Sequence, residues 1–217
     1  MRIHHLHVQN FRGFDDQEFR FHPRFNVLIG DNATGKTAVL RALRVAVASW
    51  FLGIRNRNTV GIRSDDVRLV GNAYEAGEYT FEEQYPVVVS ARGSLGDRCP
   101  GPQDIEWTRT LNGPNGRTTR QQAKQIKDVS READQRVRDG DDITLPLVAY
   151  YSTSRLYLEP RRTQRRRQSP DKRNLSRLVG YRDCIDKRLD TKALTQWIER
   201  QSWMAFQEGR PSTLFQL

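Results

Sequence analysis

The stretch Gly30-Asp31-Asn32-Ala33-Thr34-Gly35-Lys36-Thr37 lies between the apolar run Phe25–Ile29 and a segment of helical periodicity. It fits the pattern G-x-x-x-x-G-K-[ST] at every fixed position, and each position has a chemical reason. Gly30 and Gly35 permit backbone angles and close approaches that a Cβ obstructs. Successive amides can then point inward around a phosphate, at the positive end of the following helix. Lys36 is placed to reach the outer phosphates, and the Thr37 hydroxyl to ligate Mg²⁺. A chain with an apolar strand, this loop and a helix in that order is directed toward an α/β nucleotide-binding fold. The expected binding set is Gly30, Asp31, Asn32, Ala33, Thr34, Gly35, Lys36, Thr37 and Ala38. Asn32 is a further candidate for orienting the terminal phosphate.

Periodicity supplies the frame around the loop. Ile3–Phe11 reads as a strand, Arg12–Asp16 as a turn and Gln17–Phe21 as a second strand. Phe25–Ile29 is continuous and apolar, the pattern of a strand buried on both faces of a parallel sheet. Val39, Leu40, Leu43, Val47, Trp50 and Phe51 recur at helical spacing, and Gly53 follows as a stop. Residues 54–77 are irregular and polar. Tyr85–Ala91 and Ile105–Leu111 read as strands. From Thr119 a helix is expected, with Ala123, Ile126, Val129, Ala133 and Val137 on one face and Gly140 at its end. Leu145–Tyr151 reads as another buried strand, and Ala193–Phe206 as a helix with Leu194, Trp197, Ile198 and Trp203 in one stripe. Trp197 and Trp203 are expected in a core or an interface. The order indicates an α/β protein with an antiparallel β appendage.

The 217 residues are long enough for a proper core, although 36% hydrophobic and 29% charged residues leave part of the length as solvated loop. Cys99 and Cys184 form no ligand cluster and no disulfide framework, which fits a reducing compartment. The N-terminus lacks the apolar core of a signal peptide, and the longest apolar run, Val45–Ile54, is far short of the ~20 residues that span a bilayer. A cytoplasmic protein without membrane contact is expected. The net charge is +10, concentrated between Arg155 and Arg188, where 12 basic residues face 4 acids. Within this stretch Arg161, Arg162, Arg165, Arg166 and Arg167 are candidates for DNA or RNA phosphates, a solvated linker being the alternative. No aromatic residues interleave with them, so base stacking is not indicated. His4, His5 and His7 have no Cys or acidic partner near in sequence and read as exposed strand histidines rather than a metal cluster.

The N-terminus resembles the RecF, SMC and ABC-like ATPases. The resemblance rests on Asn10-Phe11-Arg12-Gly13-Phe14 between two strands, followed by the Gly30–Thr37 loop. LPLVAYYSTSRLY, the basic stretch and GYRDCID further resemble the AAA family ATPases of bacterial virulence and phage-defence loci, of Septu or retron-associated type. Ala33 replaces the second glycine usual in such loops and is expected to fit with a negative φ. The resemblance implies a P-loop NTPase fold of α/β class, the N-terminal lobe of a RecF/SMC/ABC-like head. Its divisions would be 1–53 (strands, loop and helix), 54–118 (a β-rich arm), 119–154 (helix and core strand), 155–192 (a basic linker) and 193–217 (a helical segment).

The resemblance also implies ATP and Mg²⁺ as cofactors and an ATP-dependent homodimer or higher oligomer. A nuclease effector partner, DNA or RNA, and a role in phage defence or DNA repair complete what it implies. Arg12 would flank the base or ribose, a plain turn with a solvated arginine being the alternative. Hydrolysis in this class needs four apolar residues followed by Asp and usually Glu. YPVVVSARG, LPLVAYYSTSR and LYLEP do not qualify, LSRLVGYR is only a loose likeness of a signature motif, and no catalytic residue is assigned. The chain therefore reads as an ATP-binding half whose hydrolysis needs motifs from elsewhere. A non-catalytic nucleotide switch or a separate nucleic-acid-binding subunit is the alternative, while a small-molecule kinase fits poorly.

Overall fold

The computed structural model describes residues 1–73, 79–96, 99–152, 176–181 and 184–185, together with Thr195, Ile198, Glu199, Ser202, Trp203, Phe206 and Gln207. The chain divides into two units, Met1–Ala149 with Arg173–Ile185, and Tyr150–Lys172 with Asp186–Leu217. The arginine-rich candidates Arg161, Arg162, Arg165, Arg166 and Arg167 lie outside the described residues, as does Trp197.

The first unit is built on a four-stranded antiparallel sheet. β1 (Arg2–Phe11), β2 (Phe14–Arg20), β5 (Val87–Ser94) and β6 (Ile105–Leu111) lie in the order β2-β1-β5-β6. Alternation decides its faces. Leu6, Val8, Val87, Val89, Ala91, Ile105, Trp107 and Leu111 point to a buried side, while His5 and His7 pair with Arg92 and Ser90 on the outer one. Between these strands in sequence come α1 (Lys36–Val47) and the hairpin of β3 (Leu69–Ala73) and β4 (Tyr79–Glu83). After β6 follows α2 (Lys124–Asp139). The helices pack on the buried side, giving a mixed α/β fold with a central sheet flanked by helices.

Helix α1 continues into a 3-10 turn at Ala48–Leu52. Its buried face is set by Ala38, Val39, Ala42, Val45 and Ala46. The expected stripe is rotated: Leu40 is 43% exposed, and Leu43 and Val47 are only half-buried. Small residues let the helix sit close to the sheet, and the buried Trp107 indole donates to the Ala46 carbonyl at 2.9 Å. Gly53 stops the turn against α2, where a Cβ would lie 2.2 Å from the Lys127 carbonyl oxygen. Helix α2 buries Ile126, Val129 and Ala133 and ends at Gly140 with φ 93°, a left-handed C-terminal cap. Inside the core, Arg109 is 1% exposed and donates to the Thr119 carbonyl at 2.8 Å; burial lowers its pKa to about 10.

Several expectations are corrected. Phe25–Ile29 is not a strand: Phe25, Val27 and Ile29 are 75%, 61% and 90% exposed. Leu145–Tyr151 is not a strand either; Ile143 and Pro146 are buried, but Leu147 and Tyr151 are exposed. A strand buried on both faces needs neighbours along both edges, and the described sheet is antiparallel and offers none to these segments. Residues 54–77, expected to be irregular, contain β3, which pairs with β4 in a separate two-stranded sheet. Gly71 and Asn72 mask that strand in the sequence. β2 begins at Phe14 rather than Gln17. In the second unit Trp203 is helical but 63% exposed, meeting Phe206 edge-on with centroids 6.0 Å apart, and so lies in no core there.

Candidate functional site

The turn Asn10–Gly13, the loop 30–35 and the start of α1 come together at one end of the first unit. Gly35 is the N-cap of α1, with φ 93° and ψ 4°, and no side chain caps the helix. The first amides of a helix have no intrahelical partner, so those of the first turn, including Lys36, Thr37 and Ala38, are left for a ligand or solvent. The first helical bond runs from the Val39 amide to the Gly35 carbonyl, 3.0 Å. The Thr37 side chain is exposed at this first turn, whereas Ala38 faces inward at 6% exposure. Asp31 and Asn32 are exposed at the crest.

Lys36 closes the loop on itself. Its Nζ donates to the Gly30 carbonyl at 2.6 Å and to the Asp31 carbonyl, with the Thr34 hydroxyl 3.5 Å away. Thr34 donates from Oγ1 to the Asp31 carbonyl at 2.9 Å, which folds its side chain toward Gly30. The ammonium therefore lies within the ring of backbone that the loop describes, with oxygen partners only. Ala33 adopts φ 67° rather than the expected negative value. The left-handed region costs an L-residue roughly 1–2 kcal/mol, so the alanine is strained where the resemblance places a glycine.

Phe14 and Gly35 are matched. A Cβ on Gly35 would lie 2.7 Å from Phe14 Cζ, so the ring occupies the space that only glycine leaves free. Phe19 holds the ring edge-on with centroids 5.4 Å apart. The strand-pair turn thus packs directly on the loop.

A buried ionic cluster beneath this site escaped the sequence reading. Asp66, fully buried in a 3-10 turn (Ser64–Asp66), accepts from Arg12 Nε at 3.0 Å and from Arg41 Nε and Nη2 at 2.5 and 3.1 Å. The Arg63 amide donates to the same carboxylate at 3.1 Å. Arg41 Nη2 also meets Asp65 Oδ1 at 3.1 Å. Arg12, with φ 55°, further donates its amide to the Asp66 carbonyl at 2.8 Å. The guanidinium of Arg12 is thus held by Asp66, which orients it and ties the Asn10–Phe14 turn to α1 through Arg41. No periodicity marks Asp66; its partners are 54 and 25 residues away in sequence.

His5 and His7 lie on the outer sheet face, and His7 contacts Asp16 at 2.9 Å. Among the described residues no group of three or more His, Cys, Asp or Glu side chains is arranged to hold a metal ion. None of the described helices is long and apolar enough to cross a membrane.

Residues 5–203 match the family described as AAA domain. The DNA replication and repair protein RecF of Lactococcus lactis subsp. cremoris (strain MG1363) is 40% identical over 43 residues, 20% of this chain and 12% of that protein. RecF of Alkaliphilus oremlandii (strain OhILAs) is 40% identical over 48 residues, 22% and 13% of the two chains. RecF of Staphylococcus aureus (strain JH9) is 29% identical over 72 residues, 33% and 20%. The match thus spans 12%, 13% and 20% of these relatives' own lengths. A solved structure, from work on ATP-driven dimerization and DNA-stimulated activation of SMC ATPases, superposes with a TM-score of 0.39 at 18% identity, covering 67% of this chain and 87% of that one.

Proposed function

The chain belongs to the AAA domain family, and from that premise we propose that residues Gly30–Ala38 bind the triphosphate of ATP together with Mg²⁺. The observation that carries the reading is Lys36: its ammonium lies inside the loop on the Gly30 and Asp31 carbonyls, at the uncapped N-terminus of α1. An ammonium and a set of helix-end amides facing one space suit a multiply charged phosphate. Lys36 would exchange carbonyl for phosphate oxygens, the amides of 35–38 would hold the chain in register, and the exposed Thr37 hydroxyl would take a position on Mg²⁺. Arg12, held by Asp66, would border the nucleotide. Bound Mg²⁺ would supply charge neutralisation between the phosphates.

Hydrolysis is assigned to a composite site. No described strand ends in the Asp-Glu pair that positions metal and water, so this chain supplies the binding half and the catalytic acid comes from a complementary segment. We assign to the whole an ATP-dependent dimer or higher oligomer that controls a nucleic-acid-directed effector, of nuclease type, in phage defence or DNA repair. The arginine-rich stretch 161–167 would add contacts to DNA or RNA phosphates, which weaken steeply with salt.

Titration calorimetry with Mg-ATP tests the binding. The chain is expected to bind Mg-ATP with almost no turnover, and Lys36→Ala to remove the binding heat while the far-ultraviolet circular dichroism stays unchanged. Absence of heat from the folded parent protein with any nucleoside triphosphate would overturn the reading.

A further inference from the structure

The β3–β4 hairpin forms a two-stranded sheet of its own, tied to β1 at its base by the Phe11–Val67 bridge, and leaves one face uncovered. Its register places Leu69 opposite Glu83 and Gly71 opposite Phe81, so these four residues share a face. Leu69 is 56% and Phe81 65% exposed. The Phe81 ring lies over Gly71, where a Cβ would be 3.2 Å from Cε1, and this holds the ring flat against the strand. The Tyr85 hydroxyl donates to Glu83 Oε2 at 2.8 Å and orients that carboxylate beside the apolar face. Both outer edges of this two-stranded sheet are unpaired among the described residues. An open edge with an aromatic on its face is a template for an added strand.

Charge identifies the occupant. Residues 69–85 contain Glu75, Glu78, Glu82 and Glu83 and no Lys or Arg, in a chain whose net charge is +10. Residues 161–173 contain seven basic residues and a single acid, Asp171. Guanidinium groups pair with carboxylates through a planar fork and stack on aromatic faces, which Glu83 and Phe81 offer side by side. A nucleic acid would be repelled by the same carboxylates.

We propose that the outer edge of β4, with Phe81 and Leu69, docks the arginine-rich stretch Arg161–Arg173 of a second copy of this chain. The contact is independent of nucleotide, because it uses no residue of the Gly30–Ala38 loop. It joins two copies through backbone pairing and opposite charge.

Sedimentation velocity on the full chain without nucleotide tests it. Self-association is expected at about 50 mM salt and its loss at about 500 mM, where the Debye length falls several-fold. Phe81→Ser alone, and Glu82→Arg with Glu83→Arg, should each raise the dimer dissociation constant roughly tenfold or more. Combining the latter pair with Arg165→Glu, Arg166→Glu and Arg167→Glu should restore association to within about threefold, since opposite charges face one another again. Phe81, Glu82 and Glu83 are exposed, and unchanged melting curves verify that the variants fold. A monomer at low salt, association indifferent to the hairpin variants, or failure of the charge swap to rescue would each overturn the proposal. None of these results bears on Mg-ATP binding, which is read separately by calorimetry.

Discussion

At the scale of single residues, one conformational cost lies within the loop. Ala33 at φ 67° carries the left-handed penalty, roughly 1–2 kcal/mol for an L-residue. Ala33→Gly removes it but adds about 0.5–1 kcal/mol of unfolded-state entropy. The penalty is the larger, so the variant is expected to gain about 0.5–1 kcal/mol, read as a slightly higher midpoint in urea; an unchanged or lower midpoint would refute the strain. Asp66 is the opposite case. Asp66→Ala strands the guanidinium of the buried Arg41, a loss of about 3–5 kcal/mol in chemical denaturation. The turn into α1 at Gly30–Thr37 was legible because its pattern is local, eight consecutive residues. Asp66 was not, because its meaning depends on arginines that only folding brings to it.

Elements show the same division. β6 and the end of α2 at Gly140 follow from alternation, periodicity and a C-terminal glycine. The buried face of α1 does not, since three small residues, Ala38, Ala42 and Ala46, are selected over Leu40 and Leu43 by the close approach of the sheet. Helix α2 also carries a pH-sensitive contact. Asp134, 1% exposed, accepts from Arg55 Nε at 2.5 Å and Arg138 Nε at 2.9 Å. Burial raises its pKa, but the bonds to Arg138 and Arg55 outweigh burial and hold the carboxyl below its ordinary value of 3.8. A depressed folded pKa means that the stabilisation is complete above the unfolded value and is lost as pH falls through the folded one. Asp134→Asn should therefore lower stability at neutral pH and flatten the fall in stability below about pH 4. Parallel acid limbs in the two proteins would exclude Asp134 as a contributor.

Across the whole molecule, the largest departure from pattern is the exposure of apolar segments. Phe25, Val27 and Ile29, and later in the sequence Leu147, belong to segments with the composition of buried strands but lie exposed outside the described sheets. Hydrogen exchange should find amides 25–29 unprotected while those of β1 and β5 are strongly protected, because only the latter lie in ladders. Ile29→Ser, at a position 90% exposed, should change stability by no more than about 0.5 kcal/mol, whereas Val89→Ala in the core costs about 1–3 kcal/mol. Slow exchange across 25–29 in the isolated chain would show that the segment is paired after all.

By itself the sequence determined the glycine-bounded turn before α1, the helix that follows it and most of the antiparallel strands, since each is written in residues close together along the chain. Tertiary structure alone decided which apolar residues are covered, how Phe14 fits against Gly35, and that Arg12 and Arg41 share one carboxylate. Burial and ion pairing are properties of neighbours in space, and no local pattern encodes a neighbour dozens of residues away.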